Sequence, residues 1–177
     1  IRGAGNETNQ NAIAAPSVAY HMDGIFIASP FSLQTDFIDV ERIEVLRGPQ
    51  GTLFGQNSTG GAINVISKAP TTDNLEGKTD LTVGNYGLTK TRGSINLPLS
   101  DSVATRTSVS VTKRDGFTDN IFNGQELDDA DHLSFRTDWL FETSDTSSIR
   151  VFAQYFDADN NGAAMKGFYD TTPDERE

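Results

Sequence analysis

The 177-residue chain carries 14 Lys and Arg against 25 Asp and Glu, a formal net charge of −11, and has no cysteine. An acidic balance argues against nucleic acid as a partner, because phosphate binding needs a basic face. The missing cysteines remove disulfides, thiolate metal sites and cysteine nucleophiles together.

No apolar run approaches the roughly 18 residues of a membrane helix. Two readings of the composition remain: a soluble acidic β protein, or barrel material whose polar lumen and loops dilute a lipid-facing half. The chain opens on Ile1 without a basic and then apolar leader, so any secretory signal is expected upstream.

The first part of the chain is compact and mixed. Val18-Ala19-Tyr20 and Gly24-Ile25-Phe26-Ile27 read as short apolar strands separated by turn-rich segments. Ile43-Glu44-Val45-Leu46 runs into Arg47-Gly48-Pro49, where proline denies a continuing central strand its donor. Gln50–Gly55 suits one helical turn, and Ala62-Ile63-Asn64-Val65-Ile66 is a further strand. These elements predict a small α+β domain over residues 1–70. A polar, Pro-containing connector follows over 71–76, entered through Ala69-Pro70.

From 77 to 177 the rhythm changes to long period-2 segments. Val103–Lys113 puts Val103, Thr105, Thr107, Val109 and Val111 on one face and Ala104, Arg106, Ser108, Ser110 and Thr112 on the other. Leu133–Phe141 sets Leu133, Phe135, Thr137, Trp139 and Phe141 against Ser134, Arg136, Asp138 and Leu140; Ile149–Asp157 alternates likewise. Gly77–Val83 and Leu88–Leu99 alternate more weakly.

Asn85-Tyr86-Gly87 and Ser100-Asp101-Ser102 are tight turns, Asp115–Asp131 is a long polar loop, and Thr143–Ser148 is short. Apart from the first hairpin, short and long connections alternate, as in an outer-membrane barrel. An antiparallel sandwich also alternates, but Arg and Asp on its inner face would be expensive, whereas a wet lumen takes them.

Three stretches of the first part decide between these readings. They are Ile1-Arg2-Gly3; Asp23-Gly24-Ile25; and the run Asp39-Val40-Glu41-Arg42-Ile43-Glu44-Val45-Leu46-Arg47-Gly48-Pro49-Gln50-Gly51-Thr52-Leu53-Phe54-Gly55, followed by Gly60-Gly61-Ala62-Ile63-Asn64-Val65-Ile66-Ser67-Lys68. In order and spacing they resemble the plug domain of TonB-dependent outer-membrane receptors. The later part is similar to the first barrel strands of that family, through the Gly-Asn-Tyr-Gly turn, Asn96-Leu97-Pro98-Leu99 and Arg114-Asp115-Gly116-Phe117.

The resemblance implies an α+β plug followed by antiparallel transmembrane β-barrel strands, about five of the roughly 22 that close such a plugged barrel. It implies a non-enzymatic receptor in the outer membrane of a Gram-negative bacterium, with lipid around it. The cargo would be a siderophore-type ligand, by default a ferric siderophore; cobalamin, haem and oligosaccharides stay open. The energy-coupling partner is TonB, acting through an N-terminal box expected upstream of Ile1. Iron would be cargo, and no cofactor or resident metal is expected. A partial barrel with open strand edges is expected to aggregate when expressed alone.

Arg47 is a permanently charged, five-donor group suited to bridging plug to barrel carboxylates, as plug arginines do in the family, with a local pair to Glu44 or Asp39 as the alternative. Arg42 and Glu44 are further lock candidates, or with Glu41 an exposed charged strand. Gly48, Gly51, Gly55, Gly60 and Gly61 are expected to take left-handed or crowded backbone conformations, with Pro49 ending the strand.

Asp157-Ala158-Asp159-Asn160-Asn161-Gly162 matches the first half of a calcium loop, but the twelfth position is Phe168, so an acidic loop is the expectation. Asp128-Asp129-Ala130-Asp131 with His132 reads as solvated, and His21 as structural. The glycine-rich stretch lacks the Gly-Lys-Ser/Thr ending of a phosphate loop. The serines lack His and Asp companions, so no catalytic constellation is expected. The substrate-binding residues are not legible.

Overall fold

The computed structural model describes residues 17–28, 37–55 and 57–163. The Ile1-Arg2-Gly3 opening and Phe168 lie outside them.

In the first unit β1 (Val18–Met22), β2 (Ile25–Phe26), β3 (Val40–Arg47) and β4 (Gly61–Ser67) form one sheet in the order β2-β1-β4-β3. The β1–β4 pair is parallel and the other two are antiparallel. β4 is buried along most of its length, which is why Ala62-Ile63-Asn64-Val65-Ile66 is nearly continuously apolar rather than alternating. β3 is an edge strand and stops at Arg47, ahead of Gly48-Pro49. A single helical turn α1 (Gly51–Phe54) follows.

Asp23-Gly24 joins β1 to β2 with both residues at positive φ, +50° and +81°, the geometry that a two-residue hairpin turn requires.

The second unit is a meander. β5 (Glu76–Val83), β6 (Thr89–Ser100) and β7 (Val103–Arg114) are followed by a two-stranded ribbon, β8 (Thr118–Asp119) with β9 (Glu126–Leu127), and then by β10 (Ala130–Ser144) and β11 (Ser147–Ala158). The five long strands make an antiparallel wall ordered β11-β10-β7-β6-β5, and it does not close on itself. The Asp115–Asp131 segment, expected as plain loop, thus holds a ribbon. Local chemistry builds it: the backbone N–H of Phe122 bonds Asn120 Oδ1 at 3.0 Å and that of Gln125 bonds Asn123 Oδ1 at 3.0 Å, folding the tip on itself.

The faces of the wall are inverted relative to a water-soluble sheet. On β7 the inward Ala104, Arg106, Ser108, Ser110 and Thr112 are buried, as is the outward Thr105, while Val109 and Val111 are exposed. On β10 Ser134, Arg136 and Asp138 are buried, while Leu133, Phe135, Trp139 and Phe141 face outward. Leu81, Val83, Ile95, Leu99, Ile149, Val151 and Tyr155 extend the outward band over the other strands.

Among the described residues 13 polar side chains are buried against 6 apolar ones. A fold driven by apolar burial in water does not give that ratio. An apolar outer band of this extent marks contact with lipid or protein, and alternation of apolar-out with polar-in is the pattern of a membrane barrel wall. The soluble acidic domain is therefore rejected.

Candidate functional site

The β-ladder register lines the inward residues of the wall into rows. One row reads Glu76, Asn96, Arg106, Asp138, one residue from each of four adjacent strands. The next reads Lys78, Ser94, Ser108, Arg136, Gln154. The small sheet docks on these two rows through two aspartates. Both, Asp23 and Asp39, are non-glycine residues at positive φ, +50° and +54°. Asp is one of the few side chains that accepts this conformation without heavy penalty, so it carries a carboxylate to a tight corner where the backbone itself turns away.

Asp39, just before β3, forms a two-point ion pair with Arg106. Arg106 Nη2 donates to Oδ1 at 2.9 Å, Nε donates to Oδ2, and the Ser108 hydroxyl adds a bond to Oδ2 at 3.1 Å. The two side chains are 12% and 3% exposed. Burial pushes the Asp39 carboxyl up, but Arg106, Ser108 and the nearby Lys68 outweigh it and hold it below its ordinary value. Lys68 ties the same corner to the wall: its backbone N–H donates to Asp39 O at 2.9 Å, and its Nζ grips both oxygens of Glu76 at 2.6 and 2.9 Å.

Asp23 sits at the β1–β2 turn. Its Oδ2 meets Arg136 Nη2 at 2.8 Å, while Ser67 donates to it from its backbone N–H (2.8 Å) and its hydroxyl (3.0 Å). Arg136 is further held by Asp138 at 2.8 Å, by Gln154 Oε1 at 3.2 Å and by the Phe152 ring at 4.3 Å. Arg150 closes the ladder on Asp138 at 2.7 and 2.8 Å. Asp23–Arg136–Asp138–Arg150 is thus a charge-alternating chain with no net charge. That is how four ionisable groups tolerate a site largely withdrawn from water.

Asn96, fully buried, staples the connector. It accepts from the Thr71 N–H at 3.0 Å and donates to the carbonyls of Thr71 and Asn74 at 2.9 and 2.8 Å. Ser67 and Lys68 are the hub of the arrangement, since consecutive residues at the end of β4 serve both aspartates.

The lock candidates read from sequence fall elsewhere. Arg42 pairs with its own strand neighbours, Glu41 at 2.5 Å and Glu44 at 2.9 Å, all three well exposed. Arg42, then Asn64, lowers the Glu44 carboxyl below its ordinary value. Arg47 is exposed at the end of β3 and has no ion pair among the described residues. Gly48, Gly55 and Gly61 have positive φ (+93°, +71° and +145°), whereas Gly51 lies in α1 with open space around it. Gly60 bonds Ser17 O through its N–H at 2.8 Å, and Pro49 follows the end of β3. His21 is buried between Phe26 and Phe54, and burial lowers its pKa.

Among the described residues no cluster of three His, Asp or Glu side chains suits a metal ion. The Asp157–Gly162 segment instead bonds to residues at and just before the start of β10. Asp159 N–H donates to Asp131 O at 3.0 Å, and Asn161 N–H donates to Asp129 Oδ1 at 2.7 Å.

Sequence reading missed Asp23, Asp39, Arg106, Arg136, Asp138 and Arg150 as a set. The usable signal was present, in the Arg and Asp residues at inward positions of β7, β10 and β11. Such residues need partners, which here come partly from the wall itself, through Asp138, and partly from the small sheet, through Asp23 and Asp39.

A small sheet bolted by ion pairs to the polar face of an antiparallel wall whose other face is apolar defines a plugged membrane β-barrel. The comparisons agree. Residues 1–62 match the TonB-dependent receptor plug domain. The pesticin receptor of Yersinia enterocolitica is 42% identical over 55 residues, 31% of this chain and 8% of that protein. The catecholate siderophore receptor Fiu of Escherichia coli is 31% identical over 109 residues, 59% of this chain and 14% of that protein.

Among solved structures, the ferric yersiniabactin uptake receptor FyuA of Yersinia pestis superposes with a TM-score of 0.70 at 25% identity, over 80% of this chain and 23% of that one. The pyoverdine outer membrane receptor FpvA of Pseudomonas aeruginosa, at 24% identity and a TM-score of 0.66, covers 79% of this chain and 20% of its own, and shares the fold. Through this plug match and the shared fold, the chain is similar to the TonB-dependent receptors. It spans 8% and 14% of the length of the two curated relatives.

Proposed function

We propose that this chain is the plug and first wall strands of an outer-membrane receptor of a Gram-negative bacterium that imports a ferric siderophore, powered by TonB. The observation that carries the reading is the docking of the plug on the inward rows through Asp23 and Asp39. A plug held by ion pairs and hydrogen bonds is firmly seated at rest. It can also be displaced without exposing a hydrophobic core to the lumen.

The relatives whose names specify a cargo supply the siderophore class. Cobalamin, haem and oligosaccharide remain the alternatives within the same receptor type. The relatives are named as receptors, and the buried charges of Asp23, Asp39, Arg106, Arg136, Asp138 and Arg150 engage one another and seat the plug. In this orientation the β6–β7 and β10–β11 turns face the periplasm, and the ribbon and the segment after β11 face outward.

The test is growth and radio-iron uptake in a strain lacking the full-length gene, supplied with single defined ferric siderophores. Loss of uptake for one of them, restored by the gene only when TonB is present, is the expected result. Unchanged uptake of every ferric chelate, with loss of cobalamin or haem uptake instead, rejects the iron assignment.

A further inference from the structure

Above the two docking rows lies a third inward row, Asp80, Arg92, Ser110 and Ser134. The plug does not close on its β5–β6 end. A cleft of about 220 Å³ remains there, with Ile38, Asp39 and Val40 of the plug on one side and Lys78, Asp80, Arg92 and Ser94 of the wall on the other. Arg92 has no hydrogen bond or ion pair among the described residues, and its Nε is buried without any acceptor. A guanidinium is always charged and has five donors to place, so an orphaned one facing a cavity marks a missing acceptor.

The neighbouring carboxylates are already engaged. Asp39 is taken by Arg106 and Ser108, Glu76 by Lys68, and Asp80, directly across the ladder from Arg92, by Lys78 at 3.5 Å. Among the described residues around the cleft four cations, Lys68, Lys78, Arg92 and Arg106, thus stand against three anions, Asp39, Glu76 and Asp80. Among the described residues one positive charge is left over, and it is on Arg92, which has no partner among them.

We propose that this cleft is an anion site, in which the Arg92 fork, assisted by Lys78 and the Ser94 hydroxyl, takes one carboxylate- or phosphate-sized group. Planar bidentate recognition is what a guanidinium does best, and the cavity has room for one such group and a few waters. The anion comes either free from solution or as a carboxylate borne by a cargo chelate. The inference rests on the plug lying inside the barrel and not on which solute is carried.

The test uses the full-length receptor in detergent, with arginine labelling by phenylglyoxal read peptide by peptide in a mass spectrometer. Inorganic phosphate is compared with chloride at matched ionic strength. Arg92 labels in chloride, and phosphate slows it saturably, by about fivefold or more at high occupancy, as occupancy of a single site requires. Lys78→Gln raises the phosphate needed for half-protection. Arg106 and Arg136, already ion-paired and buried, stay unlabelled throughout and report an intact fold.

Citrate alone and ferric citrate then separate the two sources. Equal protection assigns a free anion, and stronger protection by the ferric chelate assigns a cargo carboxylate. Equal labelling in phosphate and chloride means that water alone fills the cleft and overturns the proposal. So does an Arg92 that never labels because a carboxylate elsewhere in the full barrel holds it. The growth assay is independent of these outcomes, so a failed anion site leaves the receptor assignment standing.

Discussion

Asp23 of the plug and Arg136 of the wall meet at 2.8 Å with only 7% and 4% of their side chains exposed. Neither is placed by its own strand alone. Asp23 is offered by a hairpin turn in left-handed conformation, and Arg136 is held flat by Asp138, Gln154 and Phe152. Each partner is oriented before the two meet, which lowers the entropy cost of forming the pair. Removing one partner leaves the other buried and uncompensated.

That asymmetry gives a mutational prediction. In the full-length receptor, Arg136→Gln is expected to weaken plug docking by roughly 3–5 kcal/mol, the cost of stranding a buried charge. Asp23→Asn should cost less, because Ser67 and Arg136 keep partners. The Asp23→Asn/Arg136→Gln double variant should fall short of the sum of the singles. Plug release measured by protease sensitivity and by entry of a bulky antibiotic checks this, and strict additivity would show that the pair is not coupled.

Asp39 gives a pH prediction. Its folded pKa is depressed, so its contribution to docking is fully present above the unfolded value of about 3.9 and is lost as pH falls through the lower folded value. Plug stability should therefore be flat in this respect between neutral pH and about pH 5, and should fall in more strongly acid solution. Asp39→Asn should lower stability at neutral pH and flatten that acid limb. A melt series against pH reads both effects; an unchanged acid limb in the variant would assign it to other groups.

The outward face gives a membrane prediction. Val109→Arg or Phe135→Arg puts a charge on the apolar band and should cost about 2–4 kcal/mol of folding stability in lipid if near the bilayer midplane. Thr82→Arg, on the inward face of β5, should be far milder. Urea titrations in vesicles compare them, and equal costs would contradict the assignment of faces.

The two exposed arginines of β3 should part company. The Arg42 pairs with Glu41 and Glu44 are solvent-exposed, and Arg42→Gln should change docking by under about 1 kcal/mol. Arg47 we propose as a link to barrel carboxylates beyond these strands. On that proposal Arg47→Gln weakens docking by about 2 kcal/mol in the full-length receptor. Identical, negligible effects of both substitutions in the antibiotic-entry assay would remove Arg47 from the plug–barrel contact.

Much of this was legible in the residues themselves. Period-2 alternation in Val103–Lys113, Leu133–Phe141 and Ile149–Asp157 marks three wall strands, because a strand has only two faces and a half-buried one must separate its residues accordingly. The Asp39–Lys68 run carries the family resemblance, and the Arg47-Gly48-Pro49 stop shows where an edge strand ends. Local chemistry could also have predicted the Asp23-Gly24 hairpin turn and the ribbon tip.

What the order of residues could not say is which charges meet. The lock was sought on Arg42, Glu44 and Arg47, close to the motif, yet the two buried pairs run from plug aspartates to wall arginines, and the plug cation that reaches a wall carboxylate is Lys68, on Glu76. Asp39 and Arg106 are 67 positions apart, Asp23 and Arg136 113. Their pairing depends on ladder register, which puts Arg106 beside Asn96 and Asp138 in one row, and on two left-handed corners that aim the carboxylates at it. A one-residue slip in either ladder would turn those arginines to the lipid. The sequence by itself therefore determined the strands, their faces and the family resemblance, which are properties of local periodicity and motif. Only the tertiary structure decided the contacts that hold the plug, because a charge finds its partner through register and not through proximity in the chain.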